Sequence, residues 1–428
     1  MKLLIQHGRV IDPANQIDAI LDVYIADGKI AGIGNAPAGF KADSTINATG
    51  LVVAPGLVDL SVRLREPGFE YKATLNSELQ AAAAGGVTSL ACPPDTEPTL
   101  DEPGLVEMLK YRAKKLNLAH VYPLGALTRQ LEGKSLTEMC ELTEAGCVGF
   151  TQADFPIVDT QVLWRAFEYA ATFGYTLFLR AEDPYLAHGG VAHDGEVASR
   201  LGLKGIPAAA ESLALATRLR IAKETGTRLH IARLSTAEGV ELVRQAKQQG
   251  LAVTADVSAQ HLHLTEMDIG YFNTMMHLRP PLRTQRDQFA LCEGLKDGTI
   301  DAICSDHSPV DDDAKLVPFA EAEAGASAVE LLLPLALKWA SQQKLSLTEA
   351  IASITLKPAN IMGVPAGTLS VNACADIVIF DADEYWKVEA SHLKSQGKNT
   401  PFLNLELAGK VHYTVVEGIS TYQHHSSN

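Results

Sequence analysis

Cysteine is scarce and unpaired in this sequence: Cys92, Cys140, Cys147, Cys292, Cys304 and Cys374 are spread over 428 residues without a C-x-x-C. That spacing excludes a disulfide-stapled framework and fits reduced thiols in a cytosol, most of them serving as small buried apolar residues. Long apolar runs are missing too. No segment approaches the ~20 apolar residues of a membrane span, and the start, Met1 to Arg9, turns polar too soon for a signal peptide. A cytoplasmic address is the expectation. Basic charge is in deficit: 36 Lys and Arg against 51 Asp and Glu leave a net charge of -15. Such a field opposes phosphate backbones and anionic membranes, so neither nucleic acid nor a membrane is an expected partner. No Walker A loop and no G-x-S-x-G elbow occur, and Gly32-Ile33-Gly34 lacks the third glycine of a dinucleotide fingerprint and reads as a turn.

What remains is an ordinary globular composition, 46% hydrophobic and 20% charged, on a chain long enough for one large barrel and a smaller satellite. Residues 3–6, 20–25 and 29–33 read as short strands, with Asp27-Gly28 as a hairpin turn. From residue 57 the pattern becomes apolar strands alternating with helical stretches. Strand candidates are 57–64, 88–91, 120–123, 147–151, 176–180, 228–232, 252–256 and 302–304; helical segments between them include 105–116, 161–173, 209–225, 237–249 and 326–341. This alternation predicts a parallel, right-handed (β/α)8 TIM-type barrel over residues 57–357, with its chemistry where strands end. Short strands return at 375–380 and 410–416. Residues 1–56 and 358–428 are therefore expected to join into one small β-sandwich domain, ending in a frayed tail whose His424-His425 is the weaker candidate for a metal tract.

The first barrel strand ends in Asp59-Leu60-Ser61-Val62-Arg63-Leu64-Arg65-Glu66-Pro67-Gly68, followed by Glu70, Lys72 and Ala84-Gly85-Gly86-Val87-Thr88. Further on stand Pro94-Asp95-Thr96-Glu97-Pro98, Glu182-Asp183, His230-Ile231-Ala232-Arg233-Leu234-Ser235-Thr236, Pro280-Pro281-Leu282-Arg283, Ser305-Asp306-His307-Ser308-Pro309 and Lys398-Asn399-Thr400-Pro401-Phe402. In this order they resemble the signature of the dihydroorotase family of cyclic amidohydrolases, which opens with D-x-H-x-H-x-R-E-P-G and then A-G-G-x-T, and the resemblance covers both barrel and satellite.

The resemblance also locates the departures. Two family histidines at i, i+2 face one side of the first strand and ligate a divalent ion; here they match Ser61 and Arg63. The later ligand histidines match Arg180 and Arg233. The bridging acid or modified lysine falls on Gln152 or Ala153, with Asp154 displaced beyond it, and only Asp306, the last ligand and proton-transfer carboxylate, is kept. A guanidinium has five donors and no acceptor and does not deprotonate in proteins, so it cannot ligate a metal. Each unit-charge pair ~4 Å apart interacts by about 4 kcal/mol at an effective dielectric near 20, and about twice that for a dication, so three arginines repel the ion they replace. The resemblance implies an eroded substrate clamp as well: Arg65 survives, Asp95 and Arg279 match asparagines, and Val310 matches a histidine.

Arg63, Arg180 and Arg233 read either as a new anion site or, with the better physical case, as structural replacements paired with Asp306, Glu66, Glu182 or Asp183. His230, His261, His263 and His307 are the weaker candidates for a residual single-metal site with Asp306. Asp311-Asp312-Asp313-Ala314-Lys315, where family members carry a mobile loop, reads as a solvated loop. The resemblance implies a non-catalytic dihydroorotase-like subunit of pyrimidine biosynthesis with no cofactor, self-associating and partnered by the aspartate carbamoyltransferase catalytic chain. The alternative is an active zinc-dependent dihydroorotase, or a related hydantoinase or allantoinase, with an atypical metal site.

Overall fold

In the computed structural model, residues 2–424 are described. Eight parallel strands run in sequence order around a barrel: Leu57–Asp59, Val87–Cys92, His120–Ala126, Gly149–Thr151, Thr176–Leu179, Arg228–Ile231, Val253–Ser258 and Ala302–Cys304. They fall on the eight expected segments. Strands such as Val87–Cys92 are buried along their whole length, because helices cover one face and the barrel interior the other.

Closure between the first and eighth strands comes just beyond their ends. The Arg63 N–H donates to the His307 carbonyl (3.0 Å) and the His307 N–H to the Ser61 carbonyl (2.9 Å). Asp59 adds a side-chain tie, accepting from the N–H of Ser61 (3.2 Å) and of Ser305 (3.0 Å). The interior holds Val58, Ala91, Leu124, Phe178, Ala302 and Cys304, with Ala359 and Met362 of helix Leu356–Met362 packed against them.

Helix starts follow the side chains available for capping. Thr74 and Ser77 form a capping box at helix Leu75–Ala84, Asp159 caps Thr160–Phe173, and Thr236 caps Ala237–Gln248. The expected helix over 326–341 begins later, at Leu332, because Ala326 is drawn into a bridge with His307.

Both chain ends build the satellite. Strands Lys2–Asp12, Ile17–Ala26, Lys29–Ile33, Ser44–Asn47 and Val52–Pro55 combine with Ile377–Lys387, Glu406–Val416 and Ile419–Gln423 in one continuous eight-stranded sheet. The join is antiparallel, with Ile377 opposite Pro55 and Phe380 opposite Val52. Its core of Ile5, Val10, Val23, Ile25, Val53, Ile377, Ile379 and Val415 is separate from that of the barrel. His425, half of the candidate tail tract, lies outside the described residues.

Candidate functional site at the barrel mouth

Strand ends deliver the site. Arg63 follows the first strand, Asp95 the second, Asp154 the fourth, Arg180 the fifth, Arg233 the sixth and Asp306 the eighth. Arg65, Ala153, Arg233 and Asp306 all hold left-handed backbone (φ 61°, 47°, 57° and 46°), a conformation that costs energy outside glycine and concentrates at functional turns. The loop carrying Arg233 is clamped from below. Its N–H donates to Asp256 Oδ1 (2.7 Å), whose other oxygen meets His230 Nε2 (2.9 Å). Glu211, buried in the preceding helix Ala209–Thr225, accepts from the N–H and hydroxyl of both Ser235 and Thr236.

Asp154 is the hub of the mouth. Its Oδ2 takes Arg63 Nη2 at 2.7 Å; its Oδ1 takes Arg233 Nη2 at 2.7 Å and lies 2.8 Å from Arg180 Nε, which is out of line for a hydrogen bond. Arg63 also holds Asp95 through Nε (2.7 Å) and donates to Ser308 Oγ (2.8 Å). Asp306 Oδ1 accepts from Arg233 Nη1 (3.0 Å) and Ser61 Oγ (3.3 Å), with Arg63 Nη1 3.6 Å away. Arg180 grips Glu182 with two parallel bonds of 2.7 and 2.9 Å, and Arg279 reaches the same carboxylate at 2.5 Å.

Four guanidiniums, of Arg63, Arg180, Arg233 and Arg279, thus meet four carboxylates, of Asp95, Asp154, Asp306 and Glu182. The network is neutral as a unit, which is how buried charge persists. Burial works to raise the Asp154 carboxyl, but Arg233, Arg63 and Arg180 hold it well below the usual carboxylate range. Burial likewise opposes ionisation of Glu182, and Arg180 and Arg279 outweigh it, leaving a pKa of about 2. Arg218 sits one layer beneath, donating to the Ala214 carbonyl; burial and then the Arg180 charge lower its pKa to about 10. Between Asp154, Arg180 and Arg218 a cavity of about 10 Å³ has room for one water at most.

Several expectations are corrected by this geometry. Glu66 and Asp183 are not the arginines' partners: Glu66 pairs with Arg112 and accepts from the Leu75 N–H, and Asp183 accepts from the N–H of Tyr185 and Leu186. Asp154 and Asp95 take those roles. Gln152 points away from the centre, donating to Thr128 Oγ1 and the Leu131 carbonyl at 2.8 Å each. Arg65 donates to the Pro309 carbonyl (2.9 Å) and lies 3.8 Å from Glu323. Val310 is buried, its N–H held by Asn399.

The four histidines do not converge. His230 serves Asp256; His261 meets Ser258 Oγ (2.6 Å); His263 meets the Leu335 carbonyl (2.9 Å); His307 donates to Glu78 (2.6 Å) while its Nδ1 accepts from the Ala328 N–H. Nor is the 311–315 segment a free loop. Lys315 is buried, its ammonium donating to the carbonyls of Thr274, His277 and Glu323, and burial lowers its pKa to about 8.

The family resemblance implies a divalent ion at this mouth, and the residues present do not fit one. The carboxylates are already committed to guanidiniums, the remaining lone-pair donors are serine hydroxyls, and three of the four positions that the resemblance matches to histidine ligands carry fixed cations.

A closed parallel barrel with converging strand-end side chains and a sheet built from both termini is the architecture of the amidohydrolase class. L-Hydantoinase (dihydropyrimidinase) from Arthrobacter aurescens superposes with a TM-score of 0.87 at 28% identity, over 98% of this chain and 95% of its own. A family model described as "Dihydro-orotase-like" matches residues 50–239. A "Dihydroorotase-like protein" of Pseudomonas aeruginosa is 46% identical, over 99% of this chain and 100% of its own. A "Dihydroorotase" of Geobacter sp. is 42% identical over 99% and 100%. The chain belongs to the dihydroorotase-like family of cyclic amidohydrolases. Among the described residues no helix is long and apolar enough to cross a membrane.

Proposed function

We propose that this chain is a catalytically silent, cytoplasmic dihydroorotase-like protein that acts as a structural subunit for aspartate carbamoyltransferase in pyrimidine biosynthesis. One observation carries the silent half of the reading: Arg63, Arg180 and Arg233 stand where ligands would stand and are neutralised by Asp95, Asp154, Asp306 and Glu182. A cyclic amide hydrolase of this class needs an ion to lower the pKa of its attacking water and to polarise the carbonyl. Asp306 alone supplies neither function, and its Oδ1 is already held by Arg233. Asp95, tied to Arg63, also places negative charge where a substrate carboxylate would approach.

The structural half rests on an intact scaffold. Closure and capped helices form a complete barrel around a mouth filled by an arginine–carboxylate network, as expected of a chain that serves through its surface and not through turnover. The partner follows from the family resemblance. Co-expression with the transferase catalytic chain tests it: a stable complex is expected, and the transferase loses assembly or activity when this chain is left out. A transferase that assembles and works fully alone overturns the proposal. An atypical metal-dependent hydrolase is the competing reading, and turnover of dihydroorotate or a hydantoin that is lost in Asp306→Asn would establish it instead.

A further inference from the structure

At the opposite, N-terminal end of the barrel, three side chains of different donor type come together: His120, the first residue of the third barrel strand, and Cys374 and Asp376, which precede satellite strand Ile377–Lys387. Their donor atoms all lie within 4.8 Å of one another. The Cys374 Sγ is 3.4 Å from Asp376 Oδ1, and His120 Nε2 is 3.1 Å from Asp376 Oδ2. A zinc ion at ordinary bond lengths to nitrogen, sulfur and oxygen spaces its ligands by about 3.5 Å, so only small side-chain adjustments separate this cluster from a coordination shell.

His120 Nε2 is shielded from solvent and makes no well-aligned hydrogen bond, with Asp376 beside it as an ion-pair neighbour. A shielded ring nitrogen beside a thiol and a carboxylate without a well-aligned hydrogen bond is costly unless something fills the gap.

The surroundings are built to hold these groups still. Asp376 Oδ1 accepts from the Glu417 N–H (2.9 Å), which orients the carboxylate as an outer-shell partner orients a ligand. The Cys374–Asp376 backbone is held on both sides, with the Ala375 N–H donating to the Gly28 carbonyl, the Gly56 N–H to the Asp376 carbonyl and the Gly418 N–H to the Ala375 carbonyl. The charges acting on His120 and Cys374 are the carboxylates Asp376 and Glu417, a negative field that favours a cation, the reverse of the arginine-filled mouth. A cavity of about 450 Å³ bordered by Gly28, Lys29, Cys374 and Glu417 gives access from solvent and room for a water as fourth ligand.

We propose that His120, Cys374 and Asp376 bind one borderline-soft divalent cation, zinc by preference, which clips the satellite sheet to the foot of the barrel. Sulfur and imidazole donors select zinc over magnesium or calcium, and the foot of such a barrel is where stability and not chemistry resides. On binding, Sγ–H breaks, the sulfur lone pair bonds the ion, and the proton leaves to solvent.

The test uses the full-length protein stripped with chelator, then titrated with zinc against a chromogenic competitor and with cobalt as a spectroscopic probe. One equivalent is expected, with a thiolate-to-cobalt absorption band and slowed alkylation of the Cys374 peptide when zinc is present. Cys374→Ser and His120→Ala are each expected to weaken binding at least about tenfold, while Asp306→Asn leaves it unchanged. No stoichiometric binding by the wild type, or equal binding by both variants, overturns the site. Should the variants fail to fold, the cobalt band and alkylation protection in the wild type decide: their absence overturns it equally. The outcome is independent of whether the barrel mouth is silent.

Discussion

Removing the Asp154 carboxylate leaves Arg63, Arg180 and Arg233 crowded together with their shared counter-charge gone. Deleting one partner of a buried ion network typically costs 3–5 kcal/mol, so Asp154→Asn is expected to lower the urea-unfolding free energy by about that amount. Arg165→Ala, which breaks an exposed pair with Glu168, should leave it nearly unchanged. A near-neutral Asp154→Asn would contradict the hub role. Glu182 adds a pH signature. Its folded pKa of about 2 lies below the unfolded value near 4.5, so its contribution is fully present above the unfolded value and fades as pH falls through 4.5 toward 2. Unfolding midpoints measured from pH 7 to pH 2 should fall more steeply in wild type than in Glu182→Gln, the difference reaching the order of 3 kcal/mol. Parallel curves would contradict it. The arginine positions were legible in the sequence because they fall inside a recognisable motif. Of their partners, Asp306 and Glu182 could be named, but Asp154 and Asp95 could not, since pairing depends on where distant loops return: Asp154 is 91 residues from Arg63, and the other acids named, Glu66 and Asp183, face elsewhere.

The motif Ala84-Gly85-Gly86-Val87-Thr88 shows how an element boundary is set. Gly86 has φ +82°, and a Cβ there would meet Val378 Cγ2 of the satellite at 2.6 Å; one on Gly85 would meet the Val329 carbonyl oxygen at 2.6 Å. Gly86→Ala should therefore cost roughly 1–3 kcal/mol by thermal unfolding, more than an ordinary loop Gly→Ala. An unchanged melting temperature would mean that the satellite moves freely on the barrel. All eight barrel strands could be read from the sequence because strands covered on both faces are plain apolar runs. Ser44–Asn47 escaped notice because its residues are largely exposed and polar, leaving no alternation to detect. Leu60 to Leu64 read as strand yet leave the ladder, since they turn to close the barrel against His307.

For the whole molecule, two poles of opposite character emerge: a mouth where arginines and carboxylates form a neutral network, and a foot where a thiol, an imidazole and a carboxylate sit in a negative field. Chelator treatment should accordingly lower the melting temperature through the foot, with added zinc restoring it, and leave the mouth untouched. An unchanged melting temperature would argue against the clip. The family and the barrel were legible from motifs distributed along nearly the whole chain, whereas the foot cluster was hidden because its residues carry no motif and His120 lies more than 250 residues from Cys374 and Asp376 in sequence.

The claim that the mouth cannot support metal hydrolysis is tested most directly by dihydroorotate turnover, with zinc supplied in excess, in the wild type and in Asp306→Asn. Both should give the same background rate. Turnover by the wild type that disappears in Asp306→Asn would contradict the account.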